Sequence, residues 1–173
     1  MGYISAPDRK RTPDIKNLME SHGDSLLRVC FLYLKDIHLA EDAVQDTFIK
    51  VHKYYSKFKG ECEEKTWIMR IAINVCKNYL RSSWWKHIDE TMVLDNIPSR
   101  NSNDDTLQDE TLLVEIMKLS PKYKEVILLF YYQDMKIREI AEVLNKPEAT
   151  ISVRLMRARE RLKMKLKGWH YDQ

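Results

Sequence analysis

Lys136–Lys167 reads KIREIAEVLNKPEATISVRLMRARERLKMKLK, and its spacing predicts two helices joined by a tight turn, the second strongly basic. In the first, Ile137, Ile140, Ala141 and Leu144 fall at i, i+3, i+4 and i+7, giving one apolar stripe. Asn145 tolerates the left-handed conformation that ends a helix, and Pro147 suits the first turn of the next, where a missing N–H costs nothing. From there Ile151, Leu155, Ala158 and Leu162 hold one face. Arg154, Arg157, Arg159, Arg161, Lys163, Lys165 and Lys167 supply charge around the rest, opposed by Glu160. A helix of this kind packs inward and meets phosphate outward, which is the layout of a helix-turn-helix DNA reader. Charge alone would fit a solvated basic helix as well; the preceding helix and short turn favour DNA.

The rest of the chain is helical in texture. Only 4 Gly and 5 Pro occur in 173 residues, no useful alternating pattern suggests strands, and 44 % hydrophobic residues suffice for real cores. A net charge of +3 is too small to argue for nucleic acid, but its distribution is uneven, with both ends basic and the middle acidic. Arg9, Lys10 and Arg11 are followed by no signal-like apolar run, and no span approaches the ~20 apolar residues of a membrane helix, so a cytoplasmic protein without stable membrane insertion is expected. Cys30, Cys62 and Cys76 lack CxxC spacing, and the five His are scattered, so neither a disulfide framework nor a metal site is suggested.

Composition divides the chain. A basic extension covers 1–13, a helical block 14–88, an acidic linker 89–110 expected to be largely extended, and a second helical block 111–173. In the second block Ser120 followed by Pro121 marks a helix start, with Ser as the cap and Pro in the first turn. Val126, Ile127, Leu129, Phe130 and Tyr131 are then expected to bury that helix against the basic pair. The fold class that follows is all-α: two small helical domains joined by a flexible acidic linker, the second carrying the helix-turn-helix.

Two faces in the first block carry information. Along Leu39–Val51, Leu39, Ala43, Thr47, Phe48 and Val51 share one side, and Glu41, Asp42, Gln45 and Asp46 the other. Paired acids can bind Mg²⁺ or serve acid–base chemistry, but no nucleotide loop, activated nucleophile or further ligand accompanies them. A solvated acidic face and a docking face for a protein partner remain. Along Thr66–Arg81, Ile68, Ile71, Ala72, Val75 and Tyr79 can pack inward, while Arg70, Asn74, Lys77 and Arg81 recur at i, i+4, i+7 and i+11. Arg and Lys suit phosphate or guanine and Asn suits base edges. The flanking Trp67, Trp84 and Trp85 either stack on exposed bases or pack in the core. Phe58-Lys59-Gly60 opens a loop of 57–65 before this helix.

These pieces, in this order, resemble the extracytoplasmic-function (ECF) family of bacterial RNA polymerase sigma factors over most of the chain. His38–Phe48 (HLAEDAVQDTF) is similar to the family's core-polymerase-binding helix. Phe58-Lys59-Gly60 with Thr66–Asn74 (TWIMRIAIN) is similar to its promoter-melting segment. Ser120–Leu129 (SPKYKEVILL), followed by the helix-turn-helix ending Arg154-Leu155-Met156-Arg157-Ala158-Arg159, is similar to its upstream-element reader.

The resemblance implies a sigma factor that binds core RNA polymerase, recognises a two-part promoter and begins its opening, with no enzymatic activity, catalytic residue, cofactor or metal of its own. Block 14–88 would be region 2 and block 111–173 region 4. Asp42, Gln45, Asp46 and Phe48 would dock onto the polymerase. Phe58, Lys59, Gly60, Trp67, Arg70, Asn74, Lys77 and Arg81 would meet the minus-ten element and its melted non-template strand. Ala149, Thr150, Ser152, Val153, Arg154, Arg157 and Arg159 would meet the minus-thirty-five element as double-stranded DNA. An anti-sigma factor is the implied regulator. Ala149 replaces a frequent Gly, and Ser152 and Val153 stand where a basic and a small polar residue are common, which bears on the identity of the upstream element. A conventional DNA-binding regulator would explain the helix-turn-helix but neither face of the first block. A metal-dependent hydrolase rests on the carboxylates alone.

Overall fold

The computed structural model describes residues 13–82 and 106–166. Arg9–Arg11, Trp84, Trp85, Lys167 and most of the acidic linker lie outside the described residues.

Three long helices build the first half: α1 (Ile15–Leu34), α2 (Ile37–Tyr54) and α3 (Glu64–Arg81). The Asp14 carboxylate caps α1, accepting from the Asn17 N–H at 3.1 Å. Lys35 then takes a left-handed turn, φ 59°, and its N–H donates to the Phe31 carbonyl. Asp36 immediately caps α2, accepting from the Leu39 N–H at 2.9 Å, so a two-residue link folds α2 back on α1. The last six residues of α1, Val29 to Leu34, are buried all round, which requires neighbours on every side. α2 and α3 supply two of them.

The second half is α4 (Thr106–Met117), α5 (Pro121–Ile127), a π-helical turn (Leu128–Tyr132), α6 (Ile137–Leu144) and α7 (Glu148–Lys165). α4 begins at Thr106, within the segment expected to be extended: Asp109 and Glu110 belong to its first turns, where carboxylates favour a helix N-terminus. Pro121 opens α5 as expected, but Ser120 makes no capping bond; its hydroxyl is buried without a partner. Asn145 is left-handed at φ 51°, and the Lys146 N–H closes on the Ala141 carbonyl at 3.0 Å. Pro147 stands one position before α7 rather than in its first turn, its carbonyl accepting from the N–H of Thr150 and Ile151.

The expected core stripes are buried in α2 (Leu39, Ala43, Thr47, Phe48 and Val51) and in α7 (Ile151, Leu155, Ala158 and Leu162), and in α6 Ile140, Ala141 and Leu144 are buried while Ile137, in the first turn, is half-buried. In α3 the pattern is broader. Ile68, Ala72 and Val75 are buried as expected, and so are Met69, Ile73 and Cys76 on an adjoining side. The reason is that α3 has neighbours on several sides: it packs against α1, α2 and α6, and Cys76 lies beside Cys30 of α1. The two halves therefore share one continuous apolar core. Full burial of side chains the size of Ile73 or Ile140 is worth about 1.5–3 kcal/mol each.

Candidate polymerase and promoter interfaces

On α2 the polar face is only partly free. Asp42 and Gln45 are exposed, whereas Asp46 is half-buried and accepts a 2.9 Å hydrogen bond from the Tyr79 hydroxyl of α3. Burial, and then this bond, push the Tyr79 hydroxyl up to about 12. Phe48 is 5 % exposed and packs in the core, as its periodicity with Ala43, Thr47 and Val51 requires. The next residue, Ile49, is 64 % exposed at i+3 from Asp46 and i+4 from Gln45. It is the apolar member of this face that the sequence reading missed, because a single Ile beside a buried Phe carries no periodic signal.

The loop before α3 is fixed by aromatics. Phe58 stacks on Trp67 with centroids 5.0 Å apart and planes at 27°, and Tyr55 packs edge-on to Trp67 at 6.0 Å. The Tyr55 hydroxyl donates to the Glu64 carboxylate. Gly60 at φ 72° makes the bend, a conformation other residues resist, and Lys59 and Gly60 are exposed at its tip. Phe58 and Trp67 are thus half-buried supports of the loop, and Lys57, Lys59, Gly60, Glu61 and Glu63 are exposed along it. Along α3, Asn74 and Arg81 are exposed and Arg70 and Lys77 half-exposed.

On α7, Ala149, Thr150, Val153, Arg154 and Arg157 line a shallow groove of about 400 Å³, completed by Lys122 and Tyr123 of α5. Both α5 residues lie in the Ser120–Leu129 stretch that resembles the upstream-element reader, but neither was among the expected contacts; packing of α5 along α7 brings them to the groove. Burial works to raise the Tyr123 hydroxyl, but the Arg157 hydrogen bond and the charges of Lys122 and Arg161 outweigh it, so it lies below its ordinary value. Ser152 donates to the Glu148 carbonyl at 3.0 Å, a bond within its own helix. Arg159 is held apart from the groove: its Nε donates to the Tyr131 hydroxyl at 2.7 Å, and its guanidinium lies 5.2 Å from the Phe130 ring centroid.

Where the halves meet, polar groups cross. Lys77 Nζ lies 3.2 Å from Glu125 Oε2, Lys65 Nζ donates to the Gln133 carbonyl at 2.6 Å, and the Ser25 hydroxyl donates to Gln133 Oε1. Tyr33, buried among them, has its hydroxyl pushed well up, first by burial and then by the Glu125 charge. Cys30 and Cys76 are buried neighbours whose contact, with burial, raises the Cys30 thiol. Among the described residues no group of three or more His, Cys, Asp or Glu could hold a metal ion, and no helix is long and apolar enough to cross a membrane.

Two family models match this chain: sigma-70 region 2 over residues 18–86 and sigma-70 region 4 over residues 109–162. The ECF RNA polymerase sigma factor SigW of Bacillus subtilis is 26 % identical over 164 residues, covering 87 % of this chain and 88 % of that protein. The ECF RNA polymerase sigma-E factor of Haemophilus influenzae is 29 % identical over 138 residues, 72 % of this chain and 73 % of that protein. The fold is shared with the sigma factor RpoE of Bartonella quintana, solved with the anti-sigma factor NepR: TM-score 0.74, 24 % identity, 91 % of this chain and 99 % of that one. It is also shared with CnrH, solved with the cytosolic domain of CnrY: TM-score 0.67, 20 % identity, 90 % and 89 %. With both regions matched in order on a helical frame ending in a helix-turn-helix, the chain belongs to the ECF family of RNA polymerase sigma factors, non-enzymatic proteins that direct transcription initiation.

Proposed function

We propose the following division of labour. Asp42, Gln45 and Asp46 of α2, with Ile49 beside them, dock the chain onto core RNA polymerase in the cytoplasm. The loop tip at Lys59 and Gly60, with Asn74, Arg70, Lys77 and Arg81 of α3, takes the minus-ten element. Thr150, Val153, Arg154 and Arg157 of α7 take the minus-thirty-five element as duplex. The observation that carries this reading is the groove on α7, where three cations, Lys122, Arg154 and Arg157, surround a recognition-helix N-terminal half.

Opening without ATP fits this arrangement. Extracting a base from the stack costs a few kcal/mol, and contacts to polymerase and backbone phosphate offset it. Regulation by an anti-sigma factor is supported by the fold neighbour RpoE, which was solved in complex with the anti-sigma factor NepR. The test is run-off transcription with core polymerase free of other sigma factors. Product from a defined promoter is expected with this chain alone, and loss of that product with Arg154→Ala plus Arg157→Ala. A protein that needs a second sigma factor before any product forms would contradict the reading.

A further inference from the structure

In the α7 groove the side chains that can hydrogen-bond are Lys122, Tyr123, Thr150, Arg154 and Arg157; between them stands Val153, 42 % exposed. An exposed branched apolar side chain on the outward face of a recognition helix has no core to serve. Three of its groove neighbours, Lys122, Arg154 and Arg157, are cations, which favour a polyanion over an apolar protein partner. The one apolar group a DNA major groove offers is the thymine C5 methyl. We propose that Val153 is a specificity-determining residue of the upstream element and reads a thymine through its methyl group, next to the base pair met by Arg154. The proposal rests on the reading of α7 as the upstream reader.

The test removes only that methyl. Each thymine of the upstream element, in a promoter selected by the holoenzyme from a random library, is replaced singly by deoxyuridine, and holoenzyme affinity is measured. At one position the wild-type protein should lose about fourfold, the value of one buried methyl-sized group. Val153→Ala should bind thymine and uracil there alike. If no position is methyl-sensitive, or if Val153→Ala keeps the full sensitivity, the proposal is overturned. Arg154→Ala on the same templates separates the two failures: its loss of preference with a silent uracil series condemns Val153 alone, and its silence condemns the upstream reading too.

A separate observation carries a second inference. α3 lies against α6, and Glu125 stands on Lys77, so a carboxylate of the second half faces one cation of the α3 stripe. Helices packed in series at ~8–10 Å keep α3 and α7 within roughly 20 Å. Elements centred about 25 base pairs apart lie roughly 85 Å apart at ~3.4 Å per base pair. We infer that this closed form is self-inhibited, Glu125 occupying the phosphate-binding Lys77 and Gln133 latching the halves, and that engagement requires opening. Small-angle scattering and promoter-fragment binding on the free full chain test it. Glu125→Gln with Gln133→Ala should raise the radius of gyration and strengthen DNA binding about tenfold with unchanged helicity. Ser25→Ala, which removes one bond to Gln133 and leaves the Lys77–Glu125 pair in place, should do the first to a smaller degree. Unchanged radius and affinity in both variants, or a wild-type radius already equal to the double variant's, would overturn the inference.

Discussion

The Tyr79 hydroxyl of α3 donates to the Asp46 carboxylate of α2 at 2.9 Å, joining the helix assigned to polymerase docking to the helix assigned to promoter melting. Asp46 therefore has two roles to separate. Asp46→Ala and Gln45→Ala should each weaken core-polymerase binding with helicity intact, and Tyr79→Phe, which removes only the internal bond, should weaken it less. Polymerase affinity and circular dichroism on the three variants decide it. Equal losses for Asp46→Ala and Tyr79→Phe would make Asp46 a brace and not a contact.

The same bond sets a pH dependence. A phenol held at about 12 in the fold ionises near ~10 when unfolded, so its stabilising contribution is complete below pH ~10 and is lost as pH rises toward 12. Urea unfolding of the wild type should show stability falling across that window. In Tyr79→Phe the fall should be shallower, with the remainder due in part to Tyr33, which is raised in the same direction.

Phe48 and Ile49 are adjacent and should fail differently. Phe48→Ala empties a core position and should cost about 3–5 kcal/mol of stability. Ile49→Lys, on an exposed position, should leave the unfolding midpoint nearly unchanged and lower polymerase affinity. A stable Phe48→Ala variant with a specific polymerase defect would reverse the assignment.

Asn74 is exposed on α3 between Arg70 and Lys77. Asn74→Ala should impair strand opening more than closed-complex formation, read as permanganate reactivity of unpaired thymines against closed-complex affinity. A parallel loss of both would argue against base reading at this position.

The α7 arginines should divide into three behaviours. Arg154→Ala should cost ~1–3 kcal/mol and relax preference at one upstream base pair, as removal of a guanine contact does. Arg157→Ala should weaken all sequences alike and lower the salt slope by about one. Arg159→Ala should lose roughly 0.5–1 kcal/mol of stability through its ring contacts on Phe130 and Tyr131, with preference unchanged. A promoter library at two salt concentrations, with thermal unfolding alongside, distinguishes them.

What the sequence determined by itself is local and periodic. The helices of 37–54 and 137–165, the left-handed Asn145, Pro121 at a helix start and the apolar stripes of α2, α6 and α7 follow from spacing, because a 3.6-residue repeat and a cap are properties of neighbouring residues. So does the membership of Asn74, Arg70 and Lys77 in one stripe. The tertiary structure decided what each stripe touches. Met69, Ile73 and Cys76 are buried because α3 is packed on several sides, by α1, α2 and α6, with Cys76 beside Cys30 of α1; Tyr123 and Lys122 join the α7 groove because α5 runs along it, and Phe58 and Trp67 stack on each other. Lys77 meets Glu125 across 48 positions and Ser25 meets Gln133 across 108. Pairings at such separations depend on how two apolar faces find each other, and periodicity fixes only that each face exists.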